Sequence, residues 1–185
     1  MNLHQIRLDQ SYFLFKRWWE STELTNYEKY LFNKDIINFN QQLIRLKEKN
    51  IRIGVYGKTG VGKSSILNKI LHENFFQTDI LNGSTKTSSS RVYSLENNFI
   101  KSVELIDNPG FDICDNNSKK REMHNLISLD LILFVTSGDL NRKELDKLLW
   151  LVKQGKKLII IINKIDTWGK EEIKIIKDKI REKIR

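Results

Sequence analysis

The run Gly57-Lys-Thr-Gly-Val-Gly-Lys-Ser64 constrains this chain more than any other. It is a Gly, four variable residues, then Gly-Lys-Ser, the pattern of a phosphate-binding loop. Such a loop works between a strand and a helix, and both are written beside it. Ile51-Arg-Ile-Gly-Val-Tyr56 reads as a buried strand, and Ser65-Ile-Leu-Asn-Lys-Ile-Leu71 carries apolar residues at helical spacing. Gly57, Gly60 and Gly62 let the backbone curl, so that N–H groups along Lys58, Thr59 and Val61 turn inward. The positive end of the following helix, at Ser64 and Ser65, adds to that field. Lys63 is placed to reach the β- and γ-phosphates, where it is a catalytic candidate, and the Ser64 hydroxyl to meet Mg²⁺. The alternative is a glycine-rich turn without function, which the flanking strand and helix argue against.

Two further runs fall in register with this loop. Asp107 closes the strand pattern Ser102-Val-Glu-Leu-Ile106 and opens Asp107-Asn-Pro-Gly110. A carboxylate at a strand's C-terminal end can hold Mg²⁺ through water, and Gly110 can turn its N–H toward a γ-phosphate. Asn163-Lys-Ile-Asp166 follows Lys157-Leu-Ile-Ile-Ile-Ile162, a run apolar enough for a central strand. The Asp166 carboxylate suits guanine N1–H and the 2-amino group. Adenine lacks that donor pair and would leave the charge unpaired. The Asn163 amide suits the other purine edge, and the Lys164 stem can lie along the base. Together the runs predict GTP or GDP as ligand, with Ser64 and Asp107 on the metal.

Composition bounds the rest. A chain of 185 residues makes one compact domain with an appendage. Basic residues number 32 against 23 acidic, a net +9, and no block of six like charges exists. That excess fits a solvated surface, nucleic acid or an anionic membrane, and part of it answers a triphosphate. Cys114 is the single cysteine, so no internal disulfide framework exists and a reducing, cytoplasmic setting fits. His4, His72 and His124 have no ligand-like spacing, and no apolar run reaches membrane-spanning length.

Residues 1–50 read as a helical extension before a nucleotide-binding domain over 51–185. Tyr12-Phe-Leu-Phe-Lys-Arg-Trp-Trp19 is dense in aromatics, and apolar residues recur at helical spacing over 26–49. One short and one long helix are expected, with Ser21 or Thr22 as a cap. Three roles stay open: packing, an interfacial membrane segment with Phe13, Trp18 and Trp19 in the headgroup layer, or a helix for a partner protein. Residues 112–120 are polar and read as a mobile second switch, 121–129 as a short helix, 141–153 as a better one, and 170–183 as the last.

The three motifs, in this order, resemble the translation-factor class of P-loop GTPases, and within it the Era-like group, over residues 51 to about 180. The stretches Asp130-Leu-Ile-Leu-Phe-Val-Thr-Ser-Gly-Asp-Leu-Asn-Arg142 and Gly155-Lys-Lys-Leu-Ile-Ile-Ile-Ile-Asn-Lys-Ile-Asp166 resemble a YcjF-like bacterial subgroup, whose members usually carry a membrane-associated region. The resemblance implies an α/β three-layer sandwich, a mostly parallel six-stranded sheet with helices on both faces. It implies a Mg²⁺-dependent GTPase switch, with a switch threonine, both metal ligand and catalytic candidate, between Ser64 and Asp107. Thr85 is favoured within Asn82-Gly-Ser-Thr-Lys-Thr87, and Thr87 is the alternative.

Three departures follow from the same comparison. Phe111 stands where many such enzymes place a water-orienting Gln, so intrinsic hydrolysis is expected to be slow. Gly60 stands where potassium-activated members often have Asn, which argues against potassium stimulation. The last guanine-contacting loop is absent, with 19 residues after Asp166, so the domain reads as cut before its final strand and helix. An open edge of isoleucines results, to be covered by a second copy, a following segment or the N-terminal region. The competing reading is a nucleotide-dependent binding or membrane-scaffold module with negligible hydrolysis. A ribosome or RNA, or a membrane surface, is the expected partner.

Overall fold

A computed structural model describes residues 3–78, 88–96, 99–112 and 116–184, so Thr85, Thr87 and Cys114 lie outside the described residues. The chain forms two compact units, Met1–Ile51 with Val92–Glu104, and Arg52–Arg91 with Leu105–Arg185.

The strands are β1 (Asn50–Gly57), β2 (Ser89–Ser94), β3 (Ser102–Asp107), β4 (Leu131–Thr136) and β5 (Leu158–Ile162). They form one sheet in the order β2-β3-β1-β4-β5. β1, β4 and β5 are parallel, with Tyr56 opposite Phe134 and Phe134 opposite Ile160. Parallel neighbours need long crossovers. The crossover from β4 to β5 carries helix α6 (Arg142–Lys153), which the Asn141–Glu144 capping box starts. β2 returns to β3 by a short connection, closed where Leu95 N–H donates to the Lys101 carbonyl at 2.8 Å. No strand pattern is legible over 89–94, because every residue of β2 is exposed and the run has no buried face to alternate.

In the larger unit, Tyr56, Ile132 and Phe134 of the sheet pack in one apolar cluster with Leu148 and Leu151 of α6 and Leu126. Leu126 belongs to helix α5 (Asn116–Ile127). Ile176 and Ile180 of helix α7 (Lys170–Ile184) join the same cluster. Each such buried aliphatic side chain stabilises the unit by about 1.5–3 kcal/mol. Lys183 fixes the far end of α7, donating to both oxygens of Asp139 at 2.8 Å and to the Leu140 carbonyl at 2.7 Å. The expected helix over 121–129 is corrected: α5 starts at Asn116, because its opening Asn-Asn-Ser-Lys-Lys carries no apolar residue for a periodicity to detect. Helix α4 (Lys63–Leu71) follows the phosphate loop and buries Leu67 and Leu71. The expected central strand is corrected: β5 ends the sheet order among the described residues, its apolar run leaving Ile159 50% exposed. A sixth strand is not found among the described residues.

The smaller unit contains helices α1 (Leu3–Glu20), α2 (Asn26–Leu31) and α3 (Asn33–Glu48). The expectation of one short and one long helix over this region is corrected. The first is 18 residues long, and the second pattern is broken at Phe32, whose ψ of 15° leaves the helical range. Thr25 is the cap that the sequence reading missed, in a reciprocal box with Glu28. Ser21 and Thr22 instead donate back to the Trp18 carbonyl at 2.8 and 2.9 Å, closing α1. Trp18 and Trp19 meet Phe39 of α3 with ring centroids 5.9 and 4.9 Å apart. Phe13, Phe15, Tyr27 and Tyr30 stay exposed. No described helix is long and apolar enough to cross a membrane.

Candidate functional site

The site sits where β1, β3, β4 and β5 end, the place where open parallel sheets bind ligands. β1 delivers Gly57 against β4 so closely that a Cβ there would come 2.2 Å from the Val135 carbonyl oxygen. The chain then curls through Lys58, Thr59, Gly60 and Val61 and enters α4 at Gly62, whose φ of 91° suits glycine alone. A Cβ at Gly62 would also strike the Asn163 amide at 2.3 Å.

Lys63 is buried at the head of α4, and its ammonium donates to the Lys58 carbonyl at 2.9 Å, across the loop it helps to form. Ser64 donates its hydroxyl to Asp107 Oδ2 at 2.5 Å, and Asp107 is buried at the end of β3. Two hard oxygen donors thus meet at one point. The pair fits Mg²⁺, an ion that keeps water and phosphate oxygens as most of its shell and takes one or two protein ligands. Among the described residues no group of three or more acidic, His or Cys side chains is arranged for a metal. Ser65 follows Ser64 on the first turn of α4.

On the other side, the chain leaves β5 through Asn163, whose N–H donates to the Thr136 carbonyl at 2.8 Å. Its side-chain amide donates to the Val61 carbonyl at 2.8 Å. The candidate base-reading run is thereby fastened to the phosphate loop across 102 positions of sequence. Lys164 takes a left-handed backbone (φ 57°) and starts a short 3₁₀ turn, Ile165–Thr167, that leaves Asp166 exposed. Thr167 Oγ1 closes the turn on the Lys164 carbonyl at 2.7 Å, and Trp168 Nε1 reaches the Ser137 carbonyl at 3.3 Å.

The Asp107-Asn-Pro-Gly110 turn approaches from β3. Gly110 lies against the loop: a Cβ there would come 2.2 Å from Thr59 Oγ1. Phe111, which stands where the resemblance puts a water-orienting Gln, packs on Tyr56 with centroids 5.6 Å apart and joins the core edge.

Three participants were not legible as such. Asn108 is buried and donates to the Val55 carbonyl at 3.0 Å while accepting from Ser88 at 3.1 Å. Tyr56 donates to Glu122 at 2.5 Å, and Lys147 pairs with that carboxylate at 3.7 Å. Asp112 Oδ1 accepts from the Thr59 N–H at 2.8 Å and the Thr59 hydroxyl at 2.7 Å. Partial burial acts to raise the Asp112 pKa, but the hydrogen bonds from Thr59 and the nearby Lys63 charge outweigh it and hold the carboxyl below its ordinary value. Asp112 opens the stretch read as the second switch, but nothing in the sequence pointed to its bonds with Thr59.

Residues 52–164 match the sequence profile of a family described as 50S ribosome-binding GTPase. GTPase Der of Nautilia profundicola is 31% identical over 121 residues, covering 63% of this chain and 26% of that protein. The tRNA modification GTPase MnmE of Mycoplasma mycoides is 31% identical over 153 residues, 75% of this chain and 32% of its own length. The chain therefore spans about a third or less of these relatives. The structure of Aquifex aeolicus Era bound to GDP and aluminium fluoride superposes with a TM-score of 0.63 at 22% identity, covering 72% of this chain and 47% of that one, a likeness of fold. With its phosphate loop, Asp-Asn-Pro-Gly turn and Asn-Lys-Ile-Asp run gathered at one end of a mostly parallel sheet, this chain belongs to the 50S ribosome-binding GTPase family.

Proposed function

We propose that the chain is a Mg²⁺-dependent molecular switch that binds GTP and GDP and slowly hydrolyses GTP to GDP and phosphate. The observation that carries this reading is the Asn163–Val61 hydrogen bond, which holds the candidate guanine reader a fixed distance from the candidate phosphate cradle. Lys63 and the inward amides of residues 58–64 stabilise charge that develops on the transferring phosphoryl group. Ser64 and Asp107 would hold Mg²⁺, which would supply neutralisation of charge on the phosphate oxygens. Asp166 accepts from guanine. Thr85, with Thr87 as the alternative, completes the switch. The low rate follows from Phe111, whose ring is engaged with Tyr56 and cannot orient water.

That same packing favours a second reading, a nucleotide-dependent scaffold with negligible turnover. For partners, the names of the family and of the MnmE relative point to a ribosome or RNA. The exposed aromatics of the smaller unit, beside Lys16 and Arg17, support peripheral contact with an anionic membrane from the cytoplasm. The β5 edge suits pairing with a second copy or a following segment.

Single-turnover hydrolysis of GTP, alone and with ribosomes or anionic vesicles, separates the readings. The switch predicts an unassisted rate of about 10⁻⁴ to 10⁻² per second that one of these additions raises. Tight GTP binding with no phosphate release under any condition would favour the scaffold.

A further inference from the structure

The phosphate loop is held from two sides by different parts of the chain. Asn163 grips it at Val61 and crowds Gly62, and Asn163 belongs to the run that reads the base. Gly110 and Asp112 grip it at Thr59. If the purine lies on the Asn163 side, the opposite lip, at Thr59, is where a nucleotide's last phosphate ends. An anionic carboxylate occupies that lip. It takes both the Thr59 N–H and the Thr59 hydroxyl. The fit is close: a Cβ on Gly110 would come 2.7 Å from Thr59 N and 2.8 Å from Asp112 Oδ1, so only glycine lets the turn seat its Asp there. Lys63 attracts the same carboxylate.

We propose that Asp112 is a specificity-determining residue that favours GDP over GTP by holding Thr59 at the γ-phosphate end of the loop. The proposal rests on the GTP-binding reading above. A diphosphate ends short of this lip and leaves the contact in place. A triphosphate brings a further dianionic group to a donor already bonded to a carboxylate, so it meets like-charge repulsion and competition for the same N–H. Binding GTP then requires Asp112 to leave Thr59, and the turn after Gly110 moves with it. The terminal phosphate is thus sensed by the displacement of a side chain of this protein.

The test compares the affinities of GDP and of a non-hydrolysable GTP analogue, at fixed Mg²⁺, for the full chain and for Asp112→Asn, which removes the charge at constant size. Asp112→Ser is the second variant, should the first not fold. The expected result is an analogue affinity raised about tenfold or more with GDP affinity changed less than about twofold, a loss of one charge repulsion. A parallel change in both affinities, no change, or weaker analogue binding overturns the proposal. Failure of the unaltered chain to bind either guanine nucleotide would instead sink the GTPase reading itself, and this proposal with it.

Discussion

At the scale of single residues, the site is a set of short polar contacts among groups that elsewhere would be hydrated. Lys63 is the clearest case: a lysine only 7% exposed, with its ammonium donating to the Lys58 carbonyl. If Lys63 binds phosphate as proposed, Lys63→Ala should cost about 3 kcal/mol, roughly 150-fold in affinity for GTP and GDP by calorimetric titration. An unchanged affinity would contradict the phosphate-loop assignment. Asp112 makes a pH prediction. Its folded pKa is depressed, so the stabilisation it supplies is present above the ordinary carboxyl value of 3.8 and is lost as pH falls through the folded value. The Thr59 amide resonance should therefore titrate with a midpoint below that of a free aspartate. A midpoint at or above the ordinary value would show that the carboxylate is not engaged. The Thr59–Asp112 contact was not visible in the order of residues, since the two are 53 positions apart and no periodicity links them.

At the scale of elements, legibility tracked burial. β1, β3 and β5 read as strands because each carries apolar residues that the sheet buries in whole or part, and α6 and α7 because their apolar residues fall on one side and enter the core. β2, exposed throughout, and the break at Phe32 offered no such pattern. The first turn of α5 was silent for the same reason. Caps were uneven: Asn141 stood where the helix reading began, whereas Thr25 lost out to Ser21 and Thr22, which close α1 instead. Asn141→Ala removes the cap on α6 and should cost about 1 kcal/mol. For a chain of this size that is about 2–4 °C in Tm by calorimetry. An unchanged Tm would mean that α6 is held by its buried Leu148 and Leu151 and not by its entry.

At the scale of the whole molecule, three runs separated by tens of residues converge because parallel strands all end on one side of the sheet. The phosphate loop, Asp107 and the Asn163 run were each legible, and their common destination was the fold's contribution. On the proposed function, Asp166 reads a guanine base while residues 57–64 hold its phosphates. The most direct measurement is competitive binding of GTP, ATP and xanthosine triphosphate to the full chain and to Asp166→Asn. The unaltered chain should prefer GTP over ATP by about 100-fold or more, since an unpaired buried acceptor costs about 1–3 kcal/mol and each 1.4 kcal/mol is tenfold. The variant should lose GTP affinity and gain xanthosine triphosphate, because its amide donates where xanthine carries a carbonyl. Equal affinities for GTP and ATP, or an Asp166→Asn chain whose preferences do not move, would contradict the account.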